Sequence, residues 1–184
     1  MESFRPPGVG SRMLNWIQFS AARNLLSAAL TCLVLTPASA TAVVPGQPLQ
    51  FFSGRTEMIS TVKVVAKRPY RSRTVGSGRI LSDGSLVLVQ QVFDDGKPPQ
   101  QRYWKIRQLA PGRYGGTMSD AAGPVLIEEI GGRYHFKFRM KGSLSVDQWL
   151  TPTAQGNSAK SELTVRKFGF RVASSVGVVH RLPA

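Results

Sequence analysis

Residues 133–142, RYHFKFRMKG, interleave two rows of opposite character. Tyr134, Phe136, Phe138 and Met140 make one row, and Arg133, His135, Lys137, Arg139 and Lys141 make the other. Successive side chains of a β-strand point to opposite faces, so a strand here has one apolar face and one cationic face. Burying each apolar residue contributes roughly 1.5–3 kcal/mol, an upper estimate against an extended chain. A slip of one residue would instead push the basic row into the interior, where an unpaired cation costs several kcal/mol. The register is thereby fixed, with the apolar row inside and most of the basic row in water.

The same alternation continues through the chain from Val43 onward, with almost no helical periodicity. Runs rich in Val, Ile, Thr, Phe and Tyr are separated by Gly, Pro, Asn and Asp, the pattern of a sandwich or barrel. Strands are expected over 56–66, 70–81, 85–93, 100–109, 113–120, 124–130, 133–142, 143–151, 161–172 and 175–182. Ser82-Asp83-Gly84, Asp94-Asp95-Gly96 and Ala110-Pro111-Gly112 punctuate the first of them, and Asp-Gly pairs supply the positive φ that hairpins need. Links this short imply antiparallel neighbours and not a βαβ plan. An open sheet of such strands would leave unpaired edges. The expected fold is therefore all-β, an antiparallel up-and-down barrel of about 8–10 strands, with a two-sheet sandwich as the alternative. It would form a single domain over 43–184. The interior of such a barrel holds either a small ligand or packed side chains.

Residues 1–42 read as a signal peptide. LLSAALTCLVL, 25–35, is an apolar run of about eleven residues, well short of the ~20 that span a bilayer. Arg5, Arg12 and Arg23 precede it, and TPASATA follows with small residues suited to cleavage after Ala40 or Ala42. The leader is long, and an internal start at Met13 would give it ordinary proportions. Cys32, the sole cysteine, lies within the apolar run and is followed by more apolar text, which disfavours a lipid anchor. Cleavage after Ala40 would leave no disulfide, thiol chemistry or thiolate metal site. The protein is expected to be exported, periplasmic or envelope-associated. Its net charge of +14 attracts polyanions such as anionic lipid. The basic residues are scattered and form no stripe, so nucleic acid is a disfavoured partner.

Four stretches, LQFFSG, VFDDGKPPQQRYWKIRQLAPGRYGGTMSDAAG, VDQWL and VRKFGFRVASSVG, agree in order and spacing with a known pattern. Over Leu49 to Arg181 the chain resembles a bacterial family of small exported proteins, domain of unknown function 3833. The matched positions are Phe52, Gly54, Asp95, Gly96, Arg102, Trp104, Tyr114, Gly116, Asp120, Gly123, Asp147, Trp149, Lys167, Phe168 and Gly169. The chain departs from the pattern at the lipid-attachment cysteine, in the acids before tryptophan (reduced here to Asp147), and in PVLIEEIGG. The resemblance implies a lipocalin-like barrel and carries no enzymatic activity with it.

Candidate ligand-binding residues are Arg102, Trp104, Tyr114, Tyr134, Phe136, Phe138, Met140, Trp149 and Lys167. Trp104 and Trp149 serve either as core with a satisfied indole or as a stacking wall. Arg102 shares a strand face with Trp104; it either closes one barrel end by cation–π packing or meets an acidic headgroup. Asp120, Asp147 and Lys167 sit in apolar text, where a carboxylate calls for a basic partner. Asp94 and Asp95 are turn residues without the further ligands of a calcium site. His135 and His180 are expected to be exposed strand residues and make a poor metal case. No nucleophile elbow or phosphate-cradling loop is present. Neither a cofactor nor a metal is expected. The reading is an exported, non-enzymatic barrel that binds a small apolar or amphipathic molecule such as a lipid. The alternative is an envelope adaptor with a filled core, docking on anionic lipid or a protein partner through its basic outer row.

Overall fold

Ten strands follow one short helix in a computed structural model that describes residues 48–183. The leader expected over 1–42 lies outside the described residues. The helix is α1, Pro48–Phe51. The strands are β1 Gly54–Val64, β2 Tyr70–Ile80, β3 Leu86–Asp94, β4 Gln100–Ala110, β5 Arg113–Met118, β6 Val125–Ile130, β7 Arg133–Met140, β8 Leu144–Pro152, β9 Ser158–Lys167 and β10 Phe170–Arg181. Each is antiparallel to its sequence neighbours, and β1 pairs with β10 to close the barrel. Closure removes every edge, so the up-and-down barrel stands and the sandwich does not.

The alternation of β7 is realised as expected. Tyr134, Phe136 and Phe138 are buried and Met140 is half-buried, while Lys137 and Arg139 are exposed. The strand is clamped between β6 and β8, with Phe136 opposite Ile127 and Phe138 opposite Val146.

One expected strand is a correction. Residues 161–172 form no single strand: β9 ends at Lys167, and β10 returns from Phe170. Phe168 and Gly169 both have positive φ, 50° and 87°, the signature of a type I′ hairpin turn. Phe168 and Phe170 prolong the apolar alternation through the turn, which hides it from a period-two reading. In the structure both are exposed tip residues.

The two ends of the barrel differ. α1 sits at the end where β1 begins and packs Leu49 and Phe51 into the core, with Phe52 edge-to-face on Phe51 at 5.0 Å. Pro48 suits the first helical turn because its missing N–H would be unbonded there anyway. Gly78 makes room for this plug, since a Cβ there would run into the Phe52 carbonyl oxygen and lie 3.2 Å from Leu86 Cδ1. Leu86, Val125, Ile127, Tyr114 and Tyr134 form a packed floor at this end. The strand middles carry Arg73, Lys105 and Lys137 outward, all exposed. Lipid-facing Lys or Arg costs roughly 2–4 kcal/mol at a bilayer midplane, so this outer face is built for water.

Candidate functional site

Above the floor the barrel encloses a cavity of about 560 Å³. That lies within the ~300–1,000 Å³ typical of small-molecule sites. Its two walls differ in chemistry. β4, β5, β7 and β8 contribute Trp104, Ile106, Met118, Phe136, Phe138, Val146 and Leu150. β1 and β2 contribute Thr56, Ser60, Ser72 and Thr74, joined by Ser175 of β10. Met58, Val62 and Val64 of β1 line this wall as well, but small residues hold its inward positions at Thr56, Ser60, Ser72, Thr74 and Gly76. A Cβ on Gly76 would approach Thr56 Oγ1 to 2.5 Å, and one on Gly177 would reach Ser60 Cβ at 2.5 Å. Large residues on one wall thus face hydroxyls and glycines on the other, and the difference in side-chain volume leaves the lumen.

Within the wall, Trp104 stands edge-to-face on Phe138 at 5.9 Å. Its indole Nε1 donates to Gln90 Oε1 at 2.7 Å, and Gln148 Nε2 donates to Ser161 Oγ at 2.9 Å. Among the described residues, no enclosed side-chain nitrogen or oxygen is left without a hydrogen-bond partner.

The mouth opens at the end opposite α1, where Tyr70, Asp94, Lys97, Gln100 and Arg102 line it. Lys97 Nζ donates to Asp94 Oδ2 and to Tyr70 Oη, both at 2.8 Å. Burial of Asp94 opposes its ionisation, but the bonds from Lys97, Ser72 and Tyr70 outweigh it and hold the carboxyl below its usual value. The bond to Asp94, then that to Tyr70, holds the Lys97 ammonium above its usual value. Arg102 Nε donates to Asp120 Oδ2 at 2.8 Å, so this guanidinium enters the lumen wall already paired.

Five of the sequence-derived candidates, Arg102, Trp104, Phe136, Phe138 and Met140, line the lumen. Tyr114 and Tyr134 are buried in the floor beneath it, and burial together with the negative charge of Glu129 keeps the Tyr114 phenol protonated beyond its ordinary range. Trp149 belongs neither to the core nor to a ligand wall. The inward positions of β8 are Val146, Gln148 and Leu150, so Trp149 points out, stacked on His135 at 4.1 Å with the Arg133 guanidinium 4.5 Å from its ring. Lys167 has the inward parity of Leu163 and Val165 but lies beyond them at the rim, exposed, with Nζ 5.7 Å from the Phe168 ring.

His135 also differs from expectation. Its side chain is only 11% exposed, covered by Trp149, with Nε2 3.2 Å from Asp147 Oδ1. Asp147 Oδ2 accepts from Arg166 Nη1 at 2.8 Å. Asp120 and Asp147 thus each have a basic partner as expected, an arginine in both cases, and Lys167 joins neither pair. Arg102 makes its contact with Asp120, whereas the tryptophan cation–π contact belongs to Arg133. The hydroxyl wall and the Tyr70–Lys97–Asp94 cluster escaped the sequence reading. A signal for the wall exists: in RSRTVGSGR the alternate residues Ser72, Thr74, Gly76 and Gly78 are all small.

Comparison with known proteins agrees with this architecture. The S-type phycobiliprotein lyase CPES of Guillardia theta superposes with a TM-score of 0.61 at 7% identity, over 78% of this chain and 98% of that one. A protein of unknown function from the DUF3598 family of Nostoc punctiforme superposes with a TM-score of 0.54 at 11% identity, over 75% of this chain and 50% of that one. At such identities the likeness shows the fold alone, a lipocalin-like barrel. A comparison with curated proteins gave no match. The family model "Protein of unknown function (DUF3833)" matches residues 36–181, and the chain belongs to that family.

Proposed function

We propose that the protein is an exported, non-catalytic carrier that holds a small amphipathic molecule, of lipid type, in its lumen. The observation that carries this reading is the cavity of about 560 Å³ with one aromatic wall and one hydroxyl wall, open at one end. A purely apolar guest would leave Thr56, Ser60, Ser72 and Thr74 facing hydrocarbon, at a cost for each hydroxyl deprived of water. A purely polar guest would waste the wall of Trp104, Phe136 and Phe138. An amphipathic one satisfies both, its apolar part on the aromatic wall and its polar part toward the hydroxyls and the mouth.

The reading as a binder, not an enzyme, is supported by the state of the lumen's charged groups. Asp94 is tied to Lys97 and Arg102 to Asp120. The remaining polar lining described above consists of hydroxyls and amides, so proton transfer has no poised group to use. The barrel of similar fold named as a phycobiliprotein lyase keeps catalysis as the competing reading. Export rests on the leader pattern of residues 1–42.

Native mass spectrometry after detergent-free purification tests the proposal. The expected spectrum contains a protein species carrying an amphipathic adduct that Phe138→Asp abolishes. A bare mass, together with no uptake of a fluorescent fatty acid, would overturn it.

A further inference from the structure

The loops at the two ends of the barrel are chemically unlike. At the plugged end the turns over 52–53, 81–85, 111–112, 131–132 and 153–157 contain a single charged residue, Asp83. At the open end, three turns that are neighbours around the rim form one continuous sector: 141–143, 168–169 and 65–69. This sector and the strand ends beside it carry Lys67, Arg68, Lys141, Lys167 and Arg171, all exposed and none within 4.0 Å of a carboxylate among the described residues. The acids of the mouth turns, Asp95 and Asp120, belong to the other sector.

Large apolar side chains stand among these cations. Phe168 is 77% exposed, Phe170 78% and Val65 66%. Val65 N donates to Val172 O at 3.0 Å, which places the 65–69 turn beside the β9–β10 hairpin. Phe168 also holds φ at 50°, in the left-handed region that Asn and Gly occupy most readily and bulky residues avoid. The turn therefore accepts backbone strain to display an aromatic ring in water. Neither folding nor solubility calls for that ring, and an observed outlier of this kind points to a use.

We infer that this sector of the rim docks on the surface of an anionic phospholipid bilayer, with Phe168 and Phe170 entering the headgroup–acyl boundary. Exposed aromatic rings ringed by Lys and Arg are the composition that lies in such an interface. The Lys and Arg side chains can keep their charged heads among phosphates while their stems follow the rings inward. Docking in this pose sets the lumen's mouth against the membrane and leaves the water-facing strand middles clear of it. The contact is thus local to the rim, not spread over the basic outer rows of the sheet. It does not depend on what the lumen holds.

The test is co-sedimentation with vesicles of phosphatidylcholine alone and with one third phosphatidylglycerol. The protein should bind the anionic vesicles at least tenfold more tightly than the neutral ones, and the difference should shrink as salt rises. Phe168→Ser with Phe170→Ser should weaken anionic binding tenfold or more, and Lys67→Gln with Lys141→Gln should flatten the salt dependence. The altered side chains lie at turns or are largely exposed, so circular dichroism should be unchanged. Phe170→Trp supplies a direct readout: the introduced indole's emission should shift to the blue on anionic vesicles and be quenched by brominated acyl chains. Retained binding in the double serine variant, an equal loss from Arg73→Gln with Lys105→Gln on the barrel wall, equal binding to neutral vesicles, or an unshifted emission from the Phe170→Trp variant would each overturn the inference.

Discussion

An added apolar carbon separates an open lumen from a packed interior by the sign of its effect. Thr74 is 5% exposed, faces inward on β2 between Met58 and Val92, and lines the cavity. Val125 is 0% exposed and belongs to the packed floor. Overpacking a filled core costs about 1–3 kcal/mol, because side chains and backbone must shift. Val125→Ile should lose that much. Thr74→Ile keeps the β-branch that strands favour and extends into free space, so it meets no neighbour to displace. The ethyl group that replaces the hydroxyl buries two apolar carbons at roughly 0.8 kcal/mol each, offset by the roughly 0.5–1.5 kcal/mol lost with the hydroxyl's hydrogen bond. The net change should lie between zero and a gain of about 1 kcal/mol, against a loss of about 1–3 for the floor. Urea unfolding of the full chain, followed by tryptophan fluorescence, measures both. In thermal melts the floor variant should fall by several degrees, at roughly 3–6 °C per kcal/mol for a domain of this size. A loss of more than about 1 kcal/mol at Thr74, matching Val125, would mean that overpacking governs both sites and that the lumen is filled.

Two further perturbations bear on the mouth and the plug. Asp94 is ionised more readily in the folded protein than its usual 3.8, so its contribution is complete above that pH and is lost as pH falls through the lower folded value. Lys97, held above 10.5, contributes fully below that pH and loses its part only as pH rises through its higher folded value. The protection of the amides of residues 95–97, measured against their intrinsic exchange rates, should therefore fall in acid below about pH 4, and Asp94→Asn should remove the step; an unchanged acid step in that variant would refute the assignment. Gly78→Ala puts a Cβ against the Phe52 carbonyl and should cost about 1–3 kcal/mol by lifting α1 off the floor, read as faster proteolysis ahead of β1. Wild-type stability there would show that the plug does not bear on Gly78.

Period-two patterning made the strands, the closed barrel and the inward row Tyr134–Phe136–Phe138–Met140 legible before any coordinates, because one-residue slips are so costly in a half-buried strand. Where the pattern misled, the cause is specific. Lys167-Phe168-Gly169-Phe170 alternates like a strand, yet it is a turn whose rings face water, and hydropathy cannot tell a displayed phenylalanine from a buried one. The size of Trp149 suits core or ligand wall; its position on the outer parity of β8 binds it instead to His135 and Arg133. The hydroxyl wall was missed because Ser72 and Thr74 alternate with Arg71 and Arg73, so both faces of β2 look polar. Only the volumes tell them apart, small inside and long outside. The mouth cluster of Tyr70, Asp94 and Lys97 needs the β2–β3 register, which places Ser72 opposite Asp94 and no local pattern encodes.

The most direct measurement is fluorescence of a chain in which Trp104 is the sole tryptophan, with Trp16→Phe and Trp149→Phe, titrated with a brominated fatty acid. Trp104 borders the lumen beside Phe138, so its emission should be quenched saturably at one ligand per chain, and Phe138→Ala should alter the affinity. Emission that stays unquenched, or that quenches without saturation, would contradict a ligand-holding lumen.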